Sequence, residues 1–257
     1  MNTFPNPVVL WYGDCLEKMR DIPDSSIDLI LCDLPYGVTQ NKKDVCIPFE
    51  PLWEEYNRIA KENAAILLFG QGEFYVDLVN SNRKQFRYDL IWDKELTTGF
   101  LNAKRMPLRR HEQIAVFYRK LPKYNPQFLQ GKPSHSRGVA YKHKVPKNEN
   151  YGEFYPVDDE RSGSPEKYPT SIITFAKPHP SVAKHRTEKP VDLLNWLIRT
   201  YTNEGDVVLD NCMGSGSTGV ACVDTNRRFI GIELDELCFD IAKLRILAAL
   251  QDRGDRR

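Results

Sequence analysis

Strand-length apolar runs separated by polar segments dominate the first 120 positions of the chain. Val8–Trp11 and Ile27–Cys32 (IDLILC) are two such runs, and the second stops abruptly at Asp33-Leu34-Pro35-Tyr36-Gly37. Trp53–Lys61 has helical spacing, Ala64–Gly70 (AAILLFG) has the pattern of a buried strand ended by glycine, and Arg87–Trp92 and Gln113–Tyr118 predict two more strands. From Leu121 to Lys184 the periodicity fades, Pro, Lys, Tyr, Asn and Gly dominate, and SIITFA (171–176) alone reads as a strand. A stretch this long without a core signal is expected to be functional or mobile. Its aromatics (Tyr124, Phe128, Tyr141, Tyr151, Phe154, Tyr155, Tyr168) favour a small irregular subdomain over a linker. Regular alternation resumes where Thr187-Glu188-Lys189-Pro190 opens a helix, VDLLNWLIRTYT, with proline suited to its start. A strand (Val207–Asp210), a glycine-rich turn (NCMGSGST), a helix (GVACVDTN), a strand (FIGIEL, 229–234) and a last helix from about Asp235 to Gln251 follow. The alternation predicts an α/β fold with a mostly parallel sheet covered on both faces.

Composition narrows the class. No window approaches the roughly 18 apolar residues of a membrane span, and MNTFPNPVVL lacks the basic and apolar regions of a secretory signal. The expected compartment is the cytoplasm. Six cysteines (15, 32, 46, 212, 222, 238) sit singly, without a C-x-x-C pair, as buried reduced thiols would. The net charge of +1 hides an uneven distribution: from Arg119 to Lys147 there are eight basic residues and no acid, with Lys104, Arg105, Arg109 and Arg110 just upstream. Such a concentration marks a candidate polyanion contact, the alternative being a solvated basic loop.

Strand, glycine turn, helix, and a second strand ending in an acid is an arrangement that holds an adenosine-containing cofactor. Here the parts are Gly214-Ser215-Gly216, Ser217-Thr218 and Glu233. Gly214, Gly216 and Gly219 also satisfy a dinucleotide G-x-G-x-x-G pattern, so a nicotinamide-linked oxidoreductase stays in view. A P-loop is excluded, because no Gly-Lys-Ser/Thr stands at the required spacing. Only 24 residues follow Glu233, so the sheet begun at residue 207 is expected to draw its other strands from the N-terminal half. In that circularly shifted arrangement Ile27–Cys32 lies beside Val207–Asp210.

Asp33-Leu34-Pro35-Tyr36 would then open into the crevice at the carboxyl ends of the strands, beside the cofactor. An amino group conjugated into a base is a poor nucleophile. Asp33 and a main-chain carbonyl of Leu34 or Pro35 can accept its two N–H bonds and favour a pyramidal nitrogen; Pro35 presets those acceptors. Tyr36 can stack on a base turned out of a duplex. The plain alternative is a β-turn with Asp and Pro in their usual places.

Taken together, these motifs resemble the β-class of amino-methylating DNA methyltransferases, in which a D-P-P-Y-like catalytic motif precedes the cofactor motif. The resemblance spans nearly the whole chain outside about 120–180. Gly13-Asp14-Cys15 matches the element before the catalytic strand, and Asp33 through Tyr36 matches the catalytic motif. Ile91-Trp92-Asp93-Lys94 and Arg109-Arg110-His111-Glu112 match the tracts of the sixth and seventh strands. His185 through Pro190 resembles H-P-T-x-K-P, Asp210 through Thr218 resembles D-P-F-x-G-S-G-T-T, and Phe229–Glu233 resembles the ribose-binding strand. Leu34 replaces the usual first proline, Arg186 replaces another, and Asn211-Cys212-Met213 replaces P-F-x.

The resemblance implies a doubly wound, Rossmann-like, circularly permuted methyltransferase sheet with an irregular target-recognition insertion. Its parts would be a catalytic half (1–120), a target-recognition region (121–184) and a cofactor half (185–257). It implies S-adenosyl-L-methionine as cofactor, held by Asp14, Asp33, Lys189, Pro190, Asp210, Asn211, Gly214, Ser215, Gly216, Ser217, Thr218 and Glu233. Double-stranded DNA is the implied substrate, with Arg109, Arg110, Lys123, Lys132, Arg137, Lys142 and Lys144 as contacts. A restriction endonuclease partner and a homodimer are associations known in the family; a membrane partner and a metal are not expected. His135, His143 and His179 lack a suitably spaced second ligand. The family tends to place Asp first in the catalytic motif for adenine and Ser for cytosine, so Asp33 favours the adenine 6-amino group, with cytosine 4-amino transfer the nearest rival. An RNA or protein-glutamine methyltransferase and a non-catalytic DNA-binding module are further alternatives. Cytosine carbon-5 methylation falls, because none of the seventeen prolines precedes a cysteine.

Overall fold

The computed structural model describes residues 7–38, 44–133, 147–148, 152–153, 164–177 and 188–254. In chain order the elements begin with β1 (Val8–Tyr12), α1 (Cys15–Met19), β2 (Ile27–Cys32), α2 (Phe49–Ile59), β3 (Ala60–Gly70), α3 (Gly72–Ser81), β4 (Phe86–Thr98) and β5 (Arg109–Phe117). The short strands β6 (Leu129–Gln130), β7 (Lys147–Asn148), β8 (Gly152–Glu153) and β9 (Glu166–Lys167) follow. The chain ends with β10 (Ile172–Thr174), α4 (Val191–Tyr201), β11 (Val207–Asp210), α5 (Ser217–Asp224), β12 (Arg228–Glu233) and α6 (Glu236–Gly254).

Eight strands form one sheet in the order β1-β12-β11-β2-β3-β5-β4-β10. All ladders are parallel except those on either side of β5, so β5 alone runs against the other seven. Late strands β11 and β12 therefore lie between β1 and β2, and the carboxyl ends of seven strands share one edge. Central strand β2 is buried at every position, as a strand covered on both faces must be. Its side chains divide with period two: Ile30 and Cys32 join the core under α1, α2 and α3, whereas Leu29 and Leu31 join the core under α4, α5 and α6. A buried acid fastens this central pair. Asp28 Oδ2 accepts from the Val207 amide at 3.0 Å and from Lys61 Nζ at 2.8 Å.

The sheet departs from the sequence expectation in its details. β4 runs six residues past Trp92, to Thr98, and pairs with β5 across a register shift after Asp93. α1 and α3 carry too few turns to stand out by periodicity, and α2 starts four residues before Trp53. β10 pairs with β4 and so belongs to the main sheet. The chain divides into two compact units, Met1–Asn125 with Ser171–Arg257, and Pro126–Thr170. Within the second, β6 pairs with β9 and β7 with β8, both antiparallel.

Candidate active-site pocket

A cavity of about 870 Å³ opens in the first unit at the shared carboxyl edge. Such a volume suits a drug-sized or nucleoside-sized ligand. Asp33, Leu34, Pro35 and Tyr36 all line it, following directly from β2. Gly13, Asp14, Asn211, Gly214 and Glu233 line it from β1, β11 and β12. The adjacency follows from the pairing of Leu209 with Ile30, which brings the turns after β2 and β11 side by side.

The side chains of the turn after β2 are held. Leu34 is buried in the core and anchors the turn. The Tyr36 hydroxyl donates to Asp33 Oδ1 at 2.8 Å, and the Tyr36 ring stacks on Phe74 of α3 with centroids 4.6 Å apart. Burial, with the Asp33 charge beside it, keeps the Tyr36 phenol well above its ordinary range, so it remains a donor. Lys189 Nζ donates to Asp33 Oδ2 across 156 positions of sequence. The same ammonium lies 3.3 Å from Glu112 Oε2 and 4.9 Å from the Phe69 ring centre. Lys94 Nζ donates to Glu112 Oε1 at 3.2 Å.

This alternating chain of charges explains its titration. Burial pulls Lys189 down, but Asp33 and Glu112 outweigh it and hold the ammonium above its ordinary value. Burial pushes Glu112 up, and Lys189 and Lys94 outweigh that, keeping it ionised below the usual range. Lys177, half-buried in the cavity wall, is lowered chiefly by desolvation. Sequence reasoning placed Lys94 and Glu112 in strand tracts without a role and missed Lys177 and Phe74. An acid and a lysine on the buried strands β4 and β5 were the available signal.

The glycine turn divides its labour. Gly214 has φ +52° and faces open space, so a ligand can approach it closely. Its amide donates to Glu233 Oε2 at 2.8 Å, while the Asp235 amide donates to Oε1 at 2.8 Å, which sets the carboxylate against the turn. Gly216 has φ +78°, and a Cβ there would stand 2.8 Å from that of Ala242 in α6. Asp14 caps α1, with Oδ1 accepting from the Leu16 and Glu17 amides. Asn211 is pinned by the Tyr56 hydroxyl at 2.6 Å.

Other sequence-assigned cofactor residues stand behind the wall. Asp210 is buried and accepts from Thr218 Oγ1 at 2.6 Å and the Cys212 amide at 3.2 Å. Ser215 and Ser217 receive bonds from Arg245 of α6, which also pairs with Glu188. Pro190, Asp210, Ser215, Gly216, Ser217 and Thr218 do not appear in the cavity lining; Pro190 caps α4, and the others shape the turn and the start of α5. Among the assigned DNA contacts, Lys123 bonds Asp206 at 2.5 Å and lies 3.5 Å from Asp28, an internal clamp rather than a free cation. Arg110 forms a two-point pair with Asp93 at 2.6 and 2.9 Å, and Arg109 bonds Gln71 at 2.8 Å, yet both remain exposed at the carboxyl edge. Lys132 is exposed in the second unit, and Arg137, Lys142, Lys144, His135, His143, His179 and His185–Thr187 lie outside the described residues. Among the described residues, no helix is long and apolar enough to cross a membrane.

A family profile of N6/N4 type, described as DNA methylase, matches residues 27–244. The DNA adenine methyltransferase YhdJ of Escherichia coli (strain K12) is 25% identical over 244 residues, covering 87% of this chain and 77% of that protein. The Type II methyltransferase M.HinfI of Haemophilus influenzae is 26% identical over 275 residues, covering 96% and 69%. Among solved structures, PvuII DNA methyltransferase, described as cytosine-N4-specific, superposes with a TM-score of 0.67 at 14% identity, covering 97% of this chain and 94% of that one. The M1.HpyAVI-SAM complex gives a TM-score of 0.60 at 23% identity, covering 93% and 99%. These structural likenesses are likenesses of fold, and the fold they share is a Rossmann-like α/β sheet.

Proposed function

The chain belongs to the N6/N4 DNA methylase family, and we propose that it is an S-adenosylmethionine-dependent methyltransferase acting on the 6-amino group of adenine in DNA. The observation that carries this reading is the shared cavity: Asp33-Leu34-Pro35-Tyr36 and the Gly214 turn line one space, though they come from distant parts of the chain. The order of the motifs, catalytic turn before glycine turn, supports the β-class. Asp33 at the head of the catalytic turn favours adenine, as does the adenine activity named for YhdJ.

The residues fit the cofactor. Gly214 leaves an open cradle, and Glu233 and Asp14 set carboxylates in the wall where a ribose diol and an adenine need acceptors. S-adenosylmethionine, when bound, supplies an electrophilic methyl group. Toward the base, Asp33 and a carbonyl of the Leu34-Pro35 turn accept the two amino hydrogens and turn the nitrogen lone pair into the cavity. Lys189 and Tyr36 fix the Asp33 carboxylate, so its remaining lone pairs are preset and need no reorganisation as charge develops. The face of Tyr36 turned from Phe74 offers the flipped base a platform. The nitrogen sheds its proton after transfer, with Asp33 as the nearest acceptor.

The basic tract 119–147, including Lys132, Arg137, Lys142 and Lys144, is read as the phosphate contact on double-stranded DNA. Arg109 and Arg110 join it at the cavity edge. A companion restriction endonuclease and a homodimer are associations that the family resemblance brings into view. Expression in a methylation-free host, followed by sequencing that detects modified bases, tests the whole reading. Adenine marked at a fixed short sequence is the expected result; marked cytosine 4-amino groups would move the target, and unmodified DNA would overturn the proposal.

A further inference from the structure

The β4–β5 hairpin ends in a tip that is unusually apolar for its exposure. Phe100 is 78% exposed, Leu101 82% and Met106 59%, while Lys104 and Arg105 beside them are exposed and make no ion pair among the described residues. No acid occurs between Leu96 and His111. The tip is nonetheless ordered by its own backbone. Gly99 turns with φ +84°, and the Asn102 and Ala103 amides donate to the Gly99 and Phe100 carbonyls at 2.8 and 3.0 Å. Large apolar side chains held together in water mark a contact surface.

Its position decides what it would touch. β4 runs in the same direction as β2, so the hairpin projects from the carboxyl edge onto which Asp33 opens. The tip starts one residue after Thr98, which lines the cavity, as do Lys94 and Glu112 on the two strands of its stem. The stem is stiffened by the Arg110–Asp93 pair. A base entering the cavity must leave a duplex, and apolar side chains inserted into the stack are one way to offset that loss. We propose that this tip is a wedge for duplex DNA: Phe100 and Leu101 enter the base stack next to the extruded nucleotide, and Lys104 and Arg105 grip the flanking phosphates. The proposal rests on the DNA methyltransferase reading, and the charge of the tip selects nucleic acid over an acidic-poor protein surface as its partner.

The test uses duplexes carrying the methylation site found by modified-base sequencing, one set with 2-aminopurine at the target position for fluorescence and a second set with adenine there for methyl transfer. Without cofactor, the wild type is expected to raise the 2-aminopurine fluorescence, and the double variant Phe100→Ala, Leu101→Ala to lose most of that rise. With cofactor, the variant is expected to methylate the paired site about tenfold more slowly, yet to come within about twofold of wild type when the target base stands opposite an abasic site. Equal fluorescence and equal rates on the paired site overturn the wedge while leaving the enzyme reading intact. An equal loss on both substrates also overturns it, because extrusion is then not the step affected. A changed sedimentation coefficient with unchanged fluorescence assigns the tip to contact between copies, against the proposal. A wild type that neither methylates nor extrudes a base in any DNA removes the functional reading and the wedge together.

Discussion

Asp33 is the residue on which the chemistry and the electrostatics of the pocket meet. Its two oxygens receive Lys189 and the Tyr36 hydroxyl, and its side chain is partly exposed. Asp33→Ala is expected to lower methyl transfer by roughly a hundredfold or more, the scale of losing a preset acceptor at a reacting atom. Thermal stabilisation by S-adenosylhomocysteine should survive unchanged; loss of both together would make Asp33 a cofactor ligand instead. Asp210 makes the opposite kind of prediction. Burial pushes its carboxyl up to about 6 against the bonds it accepts. A folded value above the unfolded value of about 3.9 means stability that is present at low pH and lost as pH rises through about 6. Asp210→Asn lacks that titration. Denaturant unfolding at pH 4 and pH 7 should therefore show the variant gaining on wild type with rising pH, by up to roughly 3 kcal/mol. A difference independent of pH would mean that Asp210 titrates in the folded protein as it does in the unfolded chain.

At the scale of elements, the two glycines of the turn look equivalent in sequence and are not so in space. Gly216→Ala would force a Cβ to 2.8 Å from Ala242 at a left-handed φ, and a loss of about 2–4 kcal/mol by urea denaturation is expected. Gly214→Ala meets nothing within 4 Å and should cost only about 1–2 kcal/mol, but its methyl would project into the cavity. Its signature is weakened S-adenosylhomocysteine binding in a folded protein, measured by calorimetry, whereas equal loss of stability in both variants would merge their roles. The strands were readable because their apolar runs sit in buried, parallel neighbours. β2 and β11 are rich in Val, Ile and Leu and buried at every position, as two-sided burial requires. The five-residue α1 and the far end of β4 were not readable, since neither has a full helical period nor an uninterrupted alternation. Within the site, the motif residues were legible and their partners were not. Nothing local to Asp33 announces Lys189, nor does anything near Lys123 announce that Asp28 and Asp206 claim its charge.

At the scale of the whole molecule, positive charge is segregated from the cavity residues along the sequence. The acid-free stretch 119–147 gives the proposed DNA contact its salt dependence. Charge reversal at Lys142 and Lys144 is expected to weaken duplex binding more at low salt than at high salt, by fluorescence anisotropy, through lost counterion release. Binding that ignores both salt and substitution would put the contact elsewhere.

The interleaving of β11 between β1 and β2 also sets a timetable for synthesis. Until residues 207–210 leave the ribosome, β2 has β3 on one flank and an unpaired edge on the other. A nascent chain must therefore carry an open hydrogen-bonding edge through some 175 residues of elongation. Any pause in translation over that interval lengthens the exposure of the same strand that presents Asp33, the proposed catalytic aspartate.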